Sequence, residues 1–344
     1  MIGIHERSGS FSDRWIKYCT EKGIPFRRVN CLATDVVQQC DGLDGVLWHW
    51  SHGVPSHLIV ARQIVAALEA KGLAVFPNVS TCWHYDDKVA QKYLLEAIGA
   101  PLIPTWIFTS KQDAMRWIEE ATFPKVFKLR CGAGSSNVRL VRSRREATTL
   151  CSQAFGRGFP AAAGYLADMQ TRLRKTTTGH EFVKKMARAP TTLLNLMTLR
   201  RQMHRERGYI YFQEFLPDNA FDTRITVIGD RAFGFMRANR PNDFRASGSG
   251  SIVYDPEKFD KRCVEIAFQV SDRLGAQSLA FDFLFNSKRE PMIGEISYCY
   301  MSAAVYACAG YWDRMSNWRE GHVWPEEAIM DDLLTVVRRH AGVN

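Results

Sequence analysis

The chain has 344 residues, 46% hydrophobic and 24% charged, which is ordinary globular composition and more than one typical domain length. That excludes a disordered, collagen-like or disulfide-scaffold chain, and no stretch reaches the ~18 uninterrupted apolar residues of a membrane span. Lys and Arg number 45 against 36 Asp and Glu, and the excess is local: Arg139 to Ile210 holds 15 basic and 4 acidic residues, a net of +11, against −2 elsewhere.

The N-terminal MIGIHERSGS has no basic-then-apolar leader pattern and reads as a strand from the start. Nine cysteines, an odd number without a CxxC pair, point to reduced thiols and a cytoplasmic setting. Strand-like runs at Met1–His5, Pro25–Asn30, Gly45–Trp50 and Ala74–Pro77 alternate with amphipathic stretches at Ser10–Lys22 and Pro55–Lys71, which predicts a small parallel sheet covered by helices. A helix follows over Asp86–Ile98, closed by Gly99 and Pro101. Next come a strand at Thr105–Thr109, a helix near Lys111–Glu120, and strands at Val126–Leu129 and Val138–Val141 around a glycine-rich turn. The basic segment reads as helical and irregular, with Thr191–Arg207 its best helix. Strands return at Ile210–Phe215, Thr223–Ile228 and Arg231–Asn239, then a helix at Pro256–Leu274, strands at Leu279–Phe285 and Met292–Ser297, and a helix at Pro325–His340. Three units are expected, over 1–77, 78–208 and 209–344.

Near the end of the chain, a loop of Ser287 to Glu290 predicts a hairpin register that sets Phe285 opposite Met292 and Asp282 opposite Glu295. Facing carboxylates on a sheet repel at a Cβ separation of roughly 4.5–5.5 Å unless a cation joins them or one is protonated. Hard oxygens so spaced suit Mg²⁺, which uses one or two carboxylates plus substrate phosphates. A register slip would leave both acids merely solvated. Upstream, Lys128 lies in an apolar strand before a loop containing Gly132, Gly134, Ser135 and Ser136. A buried lysine needs an anionic partner, and such a loop can turn N–H groups to phosphate, although an ordinary tight turn has the same composition. A Gly229-Asp230 turn sets Asp222 opposite Arg237, with Arg224 on the face of Asp222; a surface ion pair is the plain alternative.

The remaining features stay open at this level. The basic segment fits either a solvated helical face or an anion-recruiting surface; without zinc-finger spacing or an aromatic RNA-binding strand, nucleic acid ranks low. His49, His52 and His57 could hold a metal or simply line a loop after a strand. Cys131 is a reactive thiol or a packing residue, and Tyr298, Tyr300 and the GYWD run line an acceptor pocket or a core.

In this order, DDKVAQKYLLEAIGAP, VFKLRCGAGSSNV, YFQEFL, FDTRITVIGD with NDFRASGSG, and FDF…GEIS resemble the ATP-grasp ligases, among them glutathione synthetase, D-alanine–D-alanine ligase and the RimK-type glutamate ligases. The resemblance runs from about Asn78 to Tyr298 and implies an α/β (α+β) ATP-grasp fold, preceded by a small parallel-sheet βα domain. It implies that Lys88 and Lys128 contact nucleotide phosphates under a closing loop of Gly132, Gly134, Ser135 and Ser136. Glu214, Phe215 and Leu216 would form the adenine hinge and Asp222 would hold the ribose. Arg224, Arg237 and Arg245 would stabilise charge on the transferring phosphoryl, and Asp282, Glu295 and Ser297 would bind Mg²⁺. Ser297 stands where the family usually has Asn. The long basic segment between glycine loop and hinge is a second departure.

The implied activity is amide formation between a carboxylate and an amine through an acyl phosphate, with ATP and Mg²⁺ as cofactors. The alternative is a non-catalytic nucleotide-binding regulatory protein. Implied partners are anionic small-molecule, glycan or peptide substrates, such as a sugar acid in bacterial surface-glycan pathways, with homo-oligomer formation open.

Overall fold

The computed structural model describes residues 1–132, 137–160, 205–240, 243–246, 250–340 and 342. Its first strands, β1 (Ile2–His5), β2 (Phe26–Val29), β3 (Gly45–Leu47) and β4 (Ala74–Phe76), form a parallel sheet in the order β2-β1-β3-β4. They alternate with α1 (Phe11–Lys22) and α2 (Pro55–Ala70), as parallel pairing requires. Ser10 caps α1 by accepting the Ser12 N–H, and Gly23, at φ 65°, closes it. Further on, α3 (Lys88–Ala97) starts where the Asp87 carboxylate accepts the N–H groups of Val89 and Ala90.

An antiparallel sheet follows in the order β5-β10-β6-β7, built from β5 (Thr105–Phe108), β6 (Lys125–Lys128), β7 (Val138–Val141) and β10 (Ile210–Glu214). α4 (Lys111–Glu120) and α5 (Arg144–Phe155) bury Ile118, Ala147, Leu150 and Ala154 against Phe127 and Phe212 of this sheet. Short β8 (Phe159–Pro160) and β9 (Arg205–Glu206) pair with each other. The last sheet runs β15-β14-β11-β12-β16-β17, with β13 (Ile252–Val253) against β12. Its strands are β11 (Phe221–Ile228), β12 (Arg231–Ala238), β14 (Ser278–Phe285), β15 (Pro291–Ser297), β16 (Gly310–Trp312) and β17 (Trp318–Glu320). α6 (Lys261–Leu274) precedes β14, and α7 (Pro325–His340) closes the chain's described helices.

Contacts group the chain into two compact units, not the three consecutive ones expected. One comprises Met1–Tyr85, Leu94–Pro101 and Asp218–Asn344; the other comprises Asp86–Tyr93 and Leu102–Pro217. The N-terminal sheet belongs to the first because late residues complete it. Trp15 Nε1 donates to the Glu326 carbonyl at 2.9 Å, and Gln277 Nε2 donates to the Val75 carbonyl at 2.9 Å. The expected boundary at 208 moves to 217 because β10 is a central strand of the other unit's sheet.

Two local expectations change. The helix over Pro256–Leu274 is broken: Asp255 caps a 3-10 turn at Pro256–Lys258, and Asp260 caps α6 by accepting the Arg262 N–H. The helix over Thr191–Arg207 lies outside the described residues up to 204, and Arg205–Glu206 beyond it is a strand. α5 occupies part of the basic segment, which read as helical and irregular. Its signal is Ala147, Leu150, Cys151 and Ala154, a buried i, i+3, i+4, i+7 series among surface arginines.

Candidate functional site

On the last sheet, strand register gathers charge. The turn at Gly229, φ 53°, fixes β11 against β12 and sets Asp222 opposite Arg237, as read from sequence. β11 against β14 sets Arg224 opposite Asp282, a pairing sequence alone did not offer. In β14–β15, Asp282 faces Glu295 as expected, but the turn end is displaced: Phe285 pairs with Pro291, not Met292. A register shift between Asp282 and Phe283 leaves Gly294 as the extra residue. Continuing the turn-side register would instead set Gly294 opposite Asp282.

The facing acids do not stand alone. Arg224 grips Asp282 with two parallel hydrogen bonds, Nε to Oδ1 at 2.6 Å and Nη2 to Oδ2 at 2.7 Å. Arg237 grips Asp222 in the same way at 2.8 and 2.5 Å and reaches Asp282 Oδ2 at 2.9 Å. On Asp282, positive charge is supplied in this structure by two guanidinium groups. Burial alone would raise the Asp282 pKa; Arg224 and Arg237 reverse this and hold it well below the usual carboxylate range. Asp222 is raised by its burial and by the charge of Asp282. Burial opposes the charge on Arg237, yet Asp282 and Asp222 outweigh it and raise its pKa. The result is a nearly buried ladder of alternating charge on one sheet face.

Two expected members make local hydrogen bonds. The Ser297 hydroxyl donates to the Cys299 carbonyl at 2.9 Å and accepts the Cys299 N–H at 3.2 Å, so a local turn occupies it. Arg245 holds Asp243, with Nη2 to Oδ2 at 2.6 Å, in the segment after β12.

In the other unit, the start of the glycine loop is tied down. The buried Lys88 amino group donates to the Gly132 carbonyl at 2.9 Å, and Gly132 N–H donates to Asp86 Oδ1 at 2.7 Å. Gly132 sits at φ 116°, which an L side chain rarely adopts. The Tyr209 hydroxyl accepts the Arg130 N–H at 2.6 Å and donates to Glu206 at 2.8 Å, bracing the same turn. Gly134, Ser135 and Ser136 lie outside the described residues. Lys128 pairs in register with Tyr211 and Val138 and is half-buried. Glu214 ends β10, and its carboxylate takes the buried Lys125 amino group on both oxygens, at 2.8 and 2.7 Å. Phe215 and Leu216 follow β10 directly. Sequence reading missed Lys125; a second lysine at the head of an apolar strand, three residues before Lys128, was the available signal.

The open features resolve toward packing. His49 stacks on Phe11 with ring centroids 3.9 Å apart, and burial pushes its pKa down to about 3. Burial pushes His57 down to about 4, and its Nδ1 accepts the Ser51 N–H. No group of three or more His, Cys, Asp or Glu gathers as a metal cluster among the described residues. Burial, Asp86 and Glu206 push the Cys131 thiol up to about 12, which keeps it protonated. Tyr298, Tyr300 and Trp312 are core residues, the Tyr298 hydroxyl bonded to the Trp50 carbonyl and that of Tyr300 to Ser278. No described helix is long and apolar enough to cross a membrane.

A family model for the RimK-like ATP-grasp domain matches residues 177–300. Solved structures extend the likeness over nearly the whole chain. D-alanine–D-alanine ligase from Bacillus anthracis, complexed with ATP, superposes with a TM-score of 0.55 at 12% identity, covering 98% of each chain. A RimK domain ATP-grasp protein from Sphaerobacter thermophilus gives 0.53 at 12% identity, over 97% of this chain and 99% of that one. The chain has the ATP-grasp fold. The biotin carboxylase domain of Hydrogenobacter thermophilus 2-oxoglutarate carboxylase, with magnesium ADP and bicarbonate, gives 0.56 at 14% identity, but this chain covers only 64% of it. No curated protein sequence matches this ATP-grasp chain.

Proposed function

We propose that the chain is an ATP- and Mg²⁺-dependent carboxylate–amine ligase that forms an amide through an acyl phosphate. One observation carries the reading: Asp222, Arg224, Arg237, Asp282 and Glu295 share one sheet face in the ATP-grasp fold, acids and arginines interleaved. The donors fit a divalent cation in kind, because Asp282 and Glu295 offer facing carboxylate oxygens and substrate oxygens complete such a shell. When bound, Mg²⁺ supplies charge neutralisation at the phosphoryl oxygens.

The chain's own residues do the rest. Arg224 and Arg237 place positive charge on the face where transferring oxygens become more negative, fixed in direction by the acids beneath them. Lys88 and Lys128 serve the phosphates, Lys88 while holding the Gly132 carbonyl. Lys125 fixes the Glu214 carboxylate at the start of the hinge that would receive adenine. Asp222 would reach a ribose only by sharing oxygens that Arg237 now occupies. The roles of Arg245 and Ser297 stand on resemblance, since each is bonded within its own loop.

The test is ADP release with ATP, Mg²⁺ and hydroxylamine across a panel of small, sugar and peptide carboxylates. A hydroxamate traps the acyl phosphate and names the acid. If ATP binds but no acid in the panel yields ADP or hydroxamate, the second reading takes over, a regulatory nucleotide binder. The local hydrogen bonds of the Ser297 hydroxyl to Cys299 favour that alternative.

A further inference from the structure

Asp282 has little room left in which to meet a cation, and what remains lies beside two guanidinium groups. An ionised carboxylate offers about four lone-pair sites. Three N–H contacts, at 2.6 and 2.7 Å from Arg224 and 2.9 Å from Arg237, already fall on its two oxygens. A hard divalent cation needs direct oxygen contact at about 2.0–2.1 Å and would lie against two guanidinium groups, with which it repels.

The two arginines are not equally fixed. Arg237 is buried and bound by both Asp222 and Asp282, so moving it strands the buried Asp222 and takes a contact from Asp282. The charged contacts of Arg224 are with Asp282, and its side chain is 18% exposed against 10% for Arg237. Arg224 is therefore the group that can leave. What draws a guanidinium from a bidentate carboxylate is another bidentate anion, and a phosphate matches its fork geometry.

We propose that Arg224 gates the metal ligand: it covers Asp282 in the nucleotide-free protein and uncovers it only when a polyphosphate takes the guanidinium. The inference rests on reading Asp282 as a metal ligand, and adds that divalent cations cannot occupy it before the nucleotide. The local charge supports this order. Asp222, Asp282 and Glu295 face Arg224 and Arg237, so the face already carries nearly balanced charge and attracts a lone cation weakly.

The test uses the full chain and Mn²⁺ alone, read by the paramagnetic resonance signal of the free ion, with no turnover required. Wild type should show no Mn²⁺ site tighter than nonspecific binding. Arg224→Gln should gain one site, about tenfold or more tighter, and Arg224→Gln with Asp282→Asn should lose it. Melting curves check each variant's fold; Mn²⁺ should raise the melting temperature of folded Arg224→Gln but not of wild type. A wild-type Mn²⁺ site that Asp282→Asn removes overturns the gate, and so does a folded Arg224→Gln variant without added affinity. If the variants fail to fold, a wild-type Mn²⁺ site that forms without nucleotide overturns the gate, and its absence supports it. Calorimetry of ADP on wild type, with chelator and with Mg²⁺, is the separate arm. Absence of binding in both conditions sinks the ligase reading, whereas the Mn²⁺ arms still report on the gate.

Discussion

Replacing Lys125 with Met tests whether the end of β10 is held electrostatically. The lysine side chain is 6% exposed and that of Glu214 31%, with both carboxylate oxygens within 2.8 Å of the amino group. Removing one partner of a fully buried pair costs about 3–5 kcal/mol, and water at the partly exposed Glu214 lowers this to about 2 kcal/mol. The contact of the ammonium with Trp106, 5.2 Å from the ring centroid, adds ~0.5 kcal/mol. Thermal unfolding followed by tryptophan fluorescence should show a fall of roughly 4–10 °C. The decisive measurement is a double-mutant cycle. Lys125→Met with Glu214→Gln leaves no stranded charge, so the pair should be more stable than the sum of the single losses by about 1–2 kcal/mol. If the two losses add to within about 0.5 kcal/mol, the contact is incidental and the end of β10 is held by something else.

Asp282→Asn should destabilise the protein by about 2 kcal/mol, because it strands the guanidinium of Arg224 and takes one of the two acids from Arg237, as melting in the absence of nucleotide will show. Reasoning from the facing acids alone gives the opposite sign, so this measurement separates the two pictures. Lys128→Ala should weaken ATP binding about ten- to a hundredfold for the loss of one charge-assisted contact of ~1.5–3 kcal/mol; unchanged calorimetric affinity removes Lys128 from the site. Burial lowers His49 from 6.5 to about 3, and His57 and His84 to about 4. The unfolded chain therefore binds more protons than the folded one below pH 6.5. Stability should be full above that value and fall as pH drops toward 4 and then 3; a melting temperature flat from pH 6.5 to 4 contradicts the burial argument.

What the sequence carried and what it hid divide by sequence separation. Asp222 opposite Arg237 was legible because a two-residue Gly-Asp turn sets register over a short hairpin. Asp282 opposite Glu295 was reached with the turn-side register wrong by one, because nothing local reveals that Gly294 absorbs a residue. Arg224 on Asp282 joins strands 58 residues apart, and Lys125 on Glu214 joins strands 89 apart. No periodicity reports such pairings. The consequence was chemical as well as geometric: the arginines that pair with Asp282 stayed out of its charge balance.

The division of the chain also bears on how it comes to be folded during synthesis. The N-terminal parallel sheet leaves the ribosome early, but the face of α1 that buries Trp15 is completed by α7, whose first turn accepts the indole N–H. About 240 residues separate Tyr85 from α7, and at about 5–20 residues per second their synthesis takes roughly 12–50 s. Throughout that interval the apolar faces around Trp15, Phe76 and Val75 lack their final cover. The unit carrying β5 to β10 is complete as soon as Pro217 has emerged. Nascent chains arrested before α7 are thus the form of this protein in which a chaperone or a protease would find an open core.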